Sequence, residues 1–223
     1  MSARSDILGN IRRALDVTSR EAPRLRAVED RLENAPQGVI PARSVGDAEH
    51  RLGLFRSEAE RVSTVVTEVA SDDEVPGAIA NYLRNRNLPA QIRCGDDPYL
   101  ASLPFSTTGL EVFKGPADPN DLVCVSHAYA AAAETGTLVL LSGQDNPTTL
   151  NFLPETHVVV LKAKDLDGDY EAIWKRLRTT YGKGSMPRAV NFITGPSRSA
   201  DIGHTLQLGA HGPRVLHVIV VTG

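Results

Sequence analysis

Cysteine is scarce in this chain. Two are present, Cys94 and Cys124, thirty positions apart and outside any CxxC pair, so thiolates alone build neither a zinc ribbon nor an iron–sulfur site here. A disulfide framework is unnecessary, because 223 residues suffice to bury a substantial core. Charge of one sign is lacking too: 24 Lys and Arg against 27 Asp and Glu leave a net charge of -3, which gives nucleic acid binding no support. No stretch of about 18 apolar residues occurs, so no membrane insertion is expected. The opening "MSARSDILGNIRRALD" has neither the apolar run nor the small-residue cleavage site of a secretory signal, which points to the cytoplasm.

What is present reads as an α/β protein. Ile7, Leu8, Ile11 and Leu15 recur at helical spacing and predict a short amphipathic helix. From Thr18 to about Val45 the charges alternate and Pro36, Gly38 and Pro41 interrupt, which predicts an extended arm, one that suits a wrapped homodimer. Residues 1–46 are thus expected to form an N-terminal helix and arm, and 47–223 the α/β domain. In the latter, Ala48, Leu52, Phe55, Ala59 and Val62 make one helical face, and Val75, Ile79, Tyr82 and Leu83 another. Asp72, Asp73 and Glu74 place negative charge where the second helix dipole favours it. "STVVTEVA", "AQIRC", "LVCVS", "TLVLLS", "HVVVLK", "AVNFIT" and "VLHVIVV" read as strands. A helix from Asp165 to about Tyr181 puts the single Trp, Trp174, on its apolar face with Ile173 and Leu177. Strands apolar on both faces, alternating with amphipathic helices, predict an α/β sheet covered by helices on both sides.

In such sheets ligands sit beyond the carboxyl ends of strands, and three notable stretches lie beside strands: "AETGT", "TGPSRSADI" and "GAHGPR". The second is read as a turn, Gly195 and Pro196, leading into a short helix capped by Ser197 or Ser199. Its free N–H groups, the Ser hydroxyls and the Arg198 guanidinium would receive a carboxylate or phosphate, while Asp201 braces the first turn. The pattern is neither GxGxxG nor GxxxxGKS, so no nucleotide fingerprint exists. Glu134 could serve as acid, base or acyl nucleophile, or simply accept backbone N–H bonds at its turn with Gly136 relieving the strain. His211, between small residues, is the histidine best placed for proton transfer. His217 is expected in a strand, facing outward or bonded within the core, and His127 and His157 flank strands without an assigned role. The intervals between His204, His211 and His217 fit no metal motif, so no metal is expected.

The segments "AAAETGTLVLL", "LPETHVVVL", "GPSRSADI" and "LGAHGPRVLHVIVV", in this order, together resemble the LUD-domain, LutC-like family, and the resemblance covers nearly the whole chain. It implies a Rossmann-like sheet covered by helices, a fold like that of the NagB, ribose-5-phosphate isomerase (RpiA) and CoA-transferase group. It also implies a role in oxidising L-lactate to pyruvate beside LutA-like and LutB-like iron–sulfur proteins. The clusters would reside in those partners, with no cofactor bound by this chain alone. Carried onto this sequence, the family motifs mark Glu134 and His211 as candidate catalytic residues. Thr135, Gly136, Gly195, Ser197, Arg198, Asp201 and Gly212 become candidates for binding a small carboxylate or phosphorylated ligand. Three readings stand: a subunit of a lactate oxidation system, a stand-alone acyl-CoA or sugar-phosphate enzyme in which Glu134 parallels the CoA-transferase glutamate, and a non-enzymatic binding module.

Overall fold

Two helices form within the first of two units, Met1–Val39, the second being Ile40–Gly223. The computed structural model describes residues 3–18, 20–199 and 207–223. Helix α1 spans Ala3–Ala14 and α2 spans Ala22–Asn34. The second occupies the stretch where the sequence reading expects an extended arm. Leu25, Val28 and Leu32 recur at three- and four-residue intervals among Arg and Glu, which are good helix formers. Pro23 lies in the first turn, where its missing N–H costs nothing. Ala35 takes a left-handed conformation with φ 41° and ends the helix. The proline and glycine breaks therefore act only beyond residue 35. Neither helix buries a residue.

In the second unit α3 (Ala48–Arg61) starts at Asp47, whose carboxylate accepts the His50 N–H at 2.8 Å. β1 (Val65–Val69), α4 (Val75–Asn85), β2 (Gln91–Cys94), α5 (Pro98–Ser102) and β3 (Glu111–Lys114) follow. The central stretch contains β4 (Val123–His127), β5 (Ala130–Ala132), β6 (Thr137–Leu141), α6 (Thr149–Phe152) and β7 (Thr156–Lys162). β8 (Leu166–Asp167) precedes α7 (Tyr170–Tyr181), and β9 (Val190–Ile193), β10 (Arg198–Ser199), β11 (Gln207–Leu208) and β12 (Val215–Val221) complete the described elements. The helix expected from Asp165 begins only at Tyr170, because the Asp169 carboxylate caps it by accepting the Ala172 N–H at 2.9 Å.

β1, β12, β7, β4, β2 and β3 lie side by side in that order, and every pairing is parallel. β8, β5, β6 and β9 make a second, mixed sheet. Period-two alternation of β7 sorts the core. Val158 and Val160 pack with Ile79 and Leu83 of α4, whereas Val159 and Leu161 face Phe55 and Ala59 of α3 and Leu138 and Leu140 of β6. On the far side of the second sheet, Ile173 and Leu177 of α7 meet Ala130, Ala132 and Val139. Trp174 packs there as well, its ring 5.3 Å from that of Phe192.

One expected element takes another form. Ser197 and Ser199 do not cap a helix at these positions, because Arg198 and Ser199 form β10 and pair antiparallel with Leu208 and Gln207 of β11. Asp201 lies outside the described residues, as does the rest of the expected short helix between the two strands.

Candidate functional site

Parallel strands give the sheet two unlike ends, and each carries a cavity. "GAHGPR" leads into β12 rather than out of a strand, so it meets the turn after β9 at the amino end of the sheet. There Gly195, Ser197, Arg198, His211 and Gly212 line a cavity of about 280 Å³ together with Asn151 and His157. Ser197 donates its backbone N–H to the Pro213 carbonyl at 2.8 Å, which ties the turn after β9 to the loop before β12. Gly195 has φ 80°, and a side chain would bring a carbon within 2.8 Å of the Val62 carbonyl oxygen, so glycine is required. The Arg198 guanidinium donates to the Val62 carbonyl and to the Ser63 hydroxyl, which fixes its charge at the rim. His211 is exposed at the same rim.

The floor of this cavity is what sequence reasoning missed. Ser126 Oγ stands 3.0 Å from His157 Nε2 and 3.4 Å from Asn151 Oδ1, with all three side chains buried. A hydroxyl has one proton to give, and the amide oxygen can only accept, so Ser126 donates to Asn151 and accepts from His157 Nε2–H. Two polar atoms are then left without a partner, His157 Nδ1 and Asn151 Nδ2. Burial drives the His157 pKa down to about 3, so the ring is neutral and its Nδ1 is an acceptor. The floor thus offers one free acceptor and one free donor.

Glu134, Thr135 and Gly136 are not among the residues that line this cavity. Glu134 is buried, and its carboxylate accepts the Tyr170 N–H at 3.0 Å, holding the start of α7. Gly136 has φ 65°, and a carbon added to it would come within 2.4 Å of the Ala59 nitrogen in α3. The link to the cavity is indirect. Thr135 and Thr137 share hydrogen bonds with the Tyr170 hydroxyl at 2.8 Å, and Thr137 reaches Thr194 on the cavity wall at 2.6 Å. His217 is buried within β12 and bonds Thr67 at 2.9 Å, the second of its two expected environments.

At the carboxyl end, β2 and β4 are neighbours, yet the next strand of this sheet after β2 is β3 on one side, and after β4 it is β7 on the other, reached by way of β5 and β6 of the second sheet. The exits of β2 and β4 bring Asp97 and His127 together, with Asp97 Oδ2 at 3.4 Å from His127 Nδ1. Burial pushes the Asp97 carboxyl up, but hydrogen bonds from His127 and from the Leu100 and Tyr99 N–H groups outweigh it and hold it below the usual value. Beside them the Tyr99 hydroxyl donates to Asp72 at 2.7 Å, and Lys162 donates to the same carboxylate at 3.2 Å. The Tyr99 hydrogen bond is the chief reason that the Asp72 pKa is lowered. No sequence motif joins these residues.

Among the described residues no group of three or more His, Cys, Asp or Glu side chains is arranged to hold a metal ion. Both cysteines are buried and unpaired, and burial pushes the Cys124 thiol up to about 12, so it stays protonated. No helix among the described residues is long and apolar enough to cross a membrane.

Comparison with known proteins brings these features together. Residues 122–221 match the LUD domain family model. Along its length the chain is similar to a protein called "Lactate utilization protein C" from Geobacillus thermodenitrificans, 27% identical over 90% of each chain. A protein of the same name from a Geobacillus species, strain WCH70, is 40% identical across 45% of this chain and 42% of its own. Among solved structures, a DUF162 family protein from Deinococcus radiodurans superimposes with a TM-score of 0.62 at 22% identity, over 79% of this chain and 99% of that one. That likeness concerns the fold. The matched segment contains every wall residue of the amino-end cavity named above, whereas Asp72, Asp97 and Tyr99 precede it.

Proposed function

We propose that this chain, a LUD-domain protein over residues 122–221, serves L-lactate utilisation as a LutC-like component and holds the hydroxy acid in the amino-end cavity. The observation that carries this reading is the unpartnered pair on its floor, Asn151 Nδ2 and His157 Nδ1. A buried donor and a buried acceptor each cost about 1–3 kcal/mol while unmade. A 2-hydroxy acid satisfies both at once, its carboxylate accepting from the Asn151 amide and its hydroxyl donating to His157. The Arg198 charge at the rim complements the same carboxylate.

Roles follow from the chemistry. An imidazole with a pKa of about 3 is a poor proton store, so His157 is a positioning residue that fixes the hydroxyl. His211, in contact with solvent at the rim, is the candidate to carry the hydroxyl proton outward. Oxidation of lactate to pyruvate releases two protons and two electrons. The electrons would pass to iron–sulfur clusters of LutA-like and LutB-like partners.

Isothermal titration of the full chain tests the reading. L-lactate should bind at least tenfold tighter than propionate, which lacks the hydroxyl, because propionate leaves His157 Nδ1 unpaired. Asn151→Leu should weaken L-lactate by a further factor of ten or more. Equal affinities for the two acids would overturn the assignment, and tight binding of inorganic phosphate alone would shift it toward sugar-phosphate chemistry.

A further inference from the structure

The carboxyl-end cavity is lined mainly by carboxylates, whereas the amino-end cavity has Arg198 at its rim. Its volume is about 280 Å³, at the small end of ligand pockets. It lies where the connections from β2 and β4 diverge, the position at which open parallel sheets accept ligands. Three carboxylates, Asp97, Asp145 and Asp165, line it against one guanidinium, Arg176. That guanidinium is already committed: it donates to Asp165, stands 3.8 Å from Asp167 and lies 4.9 Å over the Tyr129 ring. Asp145 accepts the Asn146 N–H at 3.0 Å, and among the described residues no cation pairs with it.

An acidic lining alone would not define a site, but two orphaned atoms in the same walls do more. Asn146 is 5% exposed and donates its Nδ2 to the Leu141 carbonyl at 3.1 Å. A carbonyl can only accept, so the amide cannot be flipped, and the atom left without a partner is the acceptor Oδ1. His127 Nε2 is likewise without a partner.

We propose that this cavity binds a small organic cation, an alkylammonium or a guanidinium. A ligand rich in N–H donors would satisfy Asn146 Oδ1 while its charge faces Asp145 and Asp97. The same lining repels carboxylates and phosphates, so the site is separate in chemistry from the lactate cavity and does not depend on it.

Titration of the full chain at constant ionic strength tests this with n-butylammonium, n-butylguanidinium and the neutral n-butanol as probes. Both cations should bind at least tenfold tighter than n-butanol, and the stronger of the two identifies the headgroup. Asp145→Asn, which keeps size and removes charge, should weaken the cations about fivefold and, at about 0.15 M salt where its charge is screened from the other cavity, change L-lactate binding less than about twofold. Should Asp145→Asn perturb folding, seen as a lower melting temperature, Asp145→Glu provides the second variant and should retain cation binding. Cations that bind no better than n-butanol overturn the proposal. So does full cation affinity in folded Asp145→Asn.

Discussion

Acid should destabilise this protein well before its carboxylates titrate, because two buried histidines are held neutral. Burial lowers the pKa of His157 to about 3, and burial together with the nearby Arg86 charge lowers that of His217 to about 4. Both residues are at most 1% exposed. In the unfolded chain each titrates near its ordinary value of about 6.5. Between those limits the unfolded state binds the extra protons, so stability is complete above pH 6.5 or so and drains away as pH falls. At pH 5 each unfolded imidazole gains about 2 kcal/mol from protonation that its folded counterpart cannot match, or about 4 kcal/mol for the pair. With a urea slope of about 1–3 kcal/mol per molar, the midpoint should drop by roughly 1–4 M between pH 7.5 and pH 5.0. Glutamine at either position keeps an N–H close to Nε2, facing Ser126 or Thr67, yet does not titrate. The double variant His157→Gln, His217→Gln should therefore lose about 4 kcal/mol less over this interval, and exposed histidines cancel in the difference. A double variant as acid-sensitive as the parent would refute the reasoning.

Two further outcomes follow from the packing and from the fields of the two cavities. Gly136→Ala places a carbon about 2.4 Å from the Ala59 nitrogen at a φ of 65°, so it should cost about 2–5 kcal/mol in urea denaturation; an unchanged midpoint would mean that α3 does not rest on this turn. The cavities are linked through neighbouring strands, where His157 lies beside Cys124 and His127 follows three residues on, roughly 10 Å at strand rise. Saturating L-lactate should consequently tighten n-butylammonium about two- to fifteenfold at low salt, the range given by an effective dielectric of about 80 to 20. The gain should shrink near 0.15 M salt, and mutual competition would contradict two separate sites.

The layering was legible in the sequence because burial and strand periodicity point the same way. "HVVVLK" is apolar at every inner position, and only a strand covered on both faces tolerates that; in the structure Val158 and Val159 indeed face different layers. The helix over Ala22–Asn34 was not legible as one, since its charges and the downstream prolines dominate the pattern while its apolar positions are few and buried by nothing. Among site residues, Gly195, Ser197, Arg198, His211 and Gly212 do line one cavity, because turns beside strands advertise themselves through glycine and proline. Glu134 looked equally conspicuous, yet it caps α7 from a position thirty-six residues earlier in the chain. Spacing along a sequence carries no trace of such a partner.

What no pattern could supply is which polar atoms remain unmet once the chain has folded. Asn151, His157, Asn146 and His127 are ordinary residues in unremarkable contexts, and their importance depends on partners elsewhere in the chain. Ser126 uses its only proton on Asn151 and thereby decides that His157 presents a lone pair; the Leu141 carbonyl takes the Asn146 amide N–H and thereby decides that an oxygen is left over. The second choice is forced by valence, because a carbonyl can only accept, and together they leave a donor beside an acceptor at one end of the sheet and an amide oxygen among carboxylates at the other. The 2-hydroxy acid and the organic cation proposed above are the ligands chosen to match those two inventories. Motifs locate the rim of a pocket, while the chemistry that discriminates among ligands resides in the hydrogen bonds that folding leaves unmade.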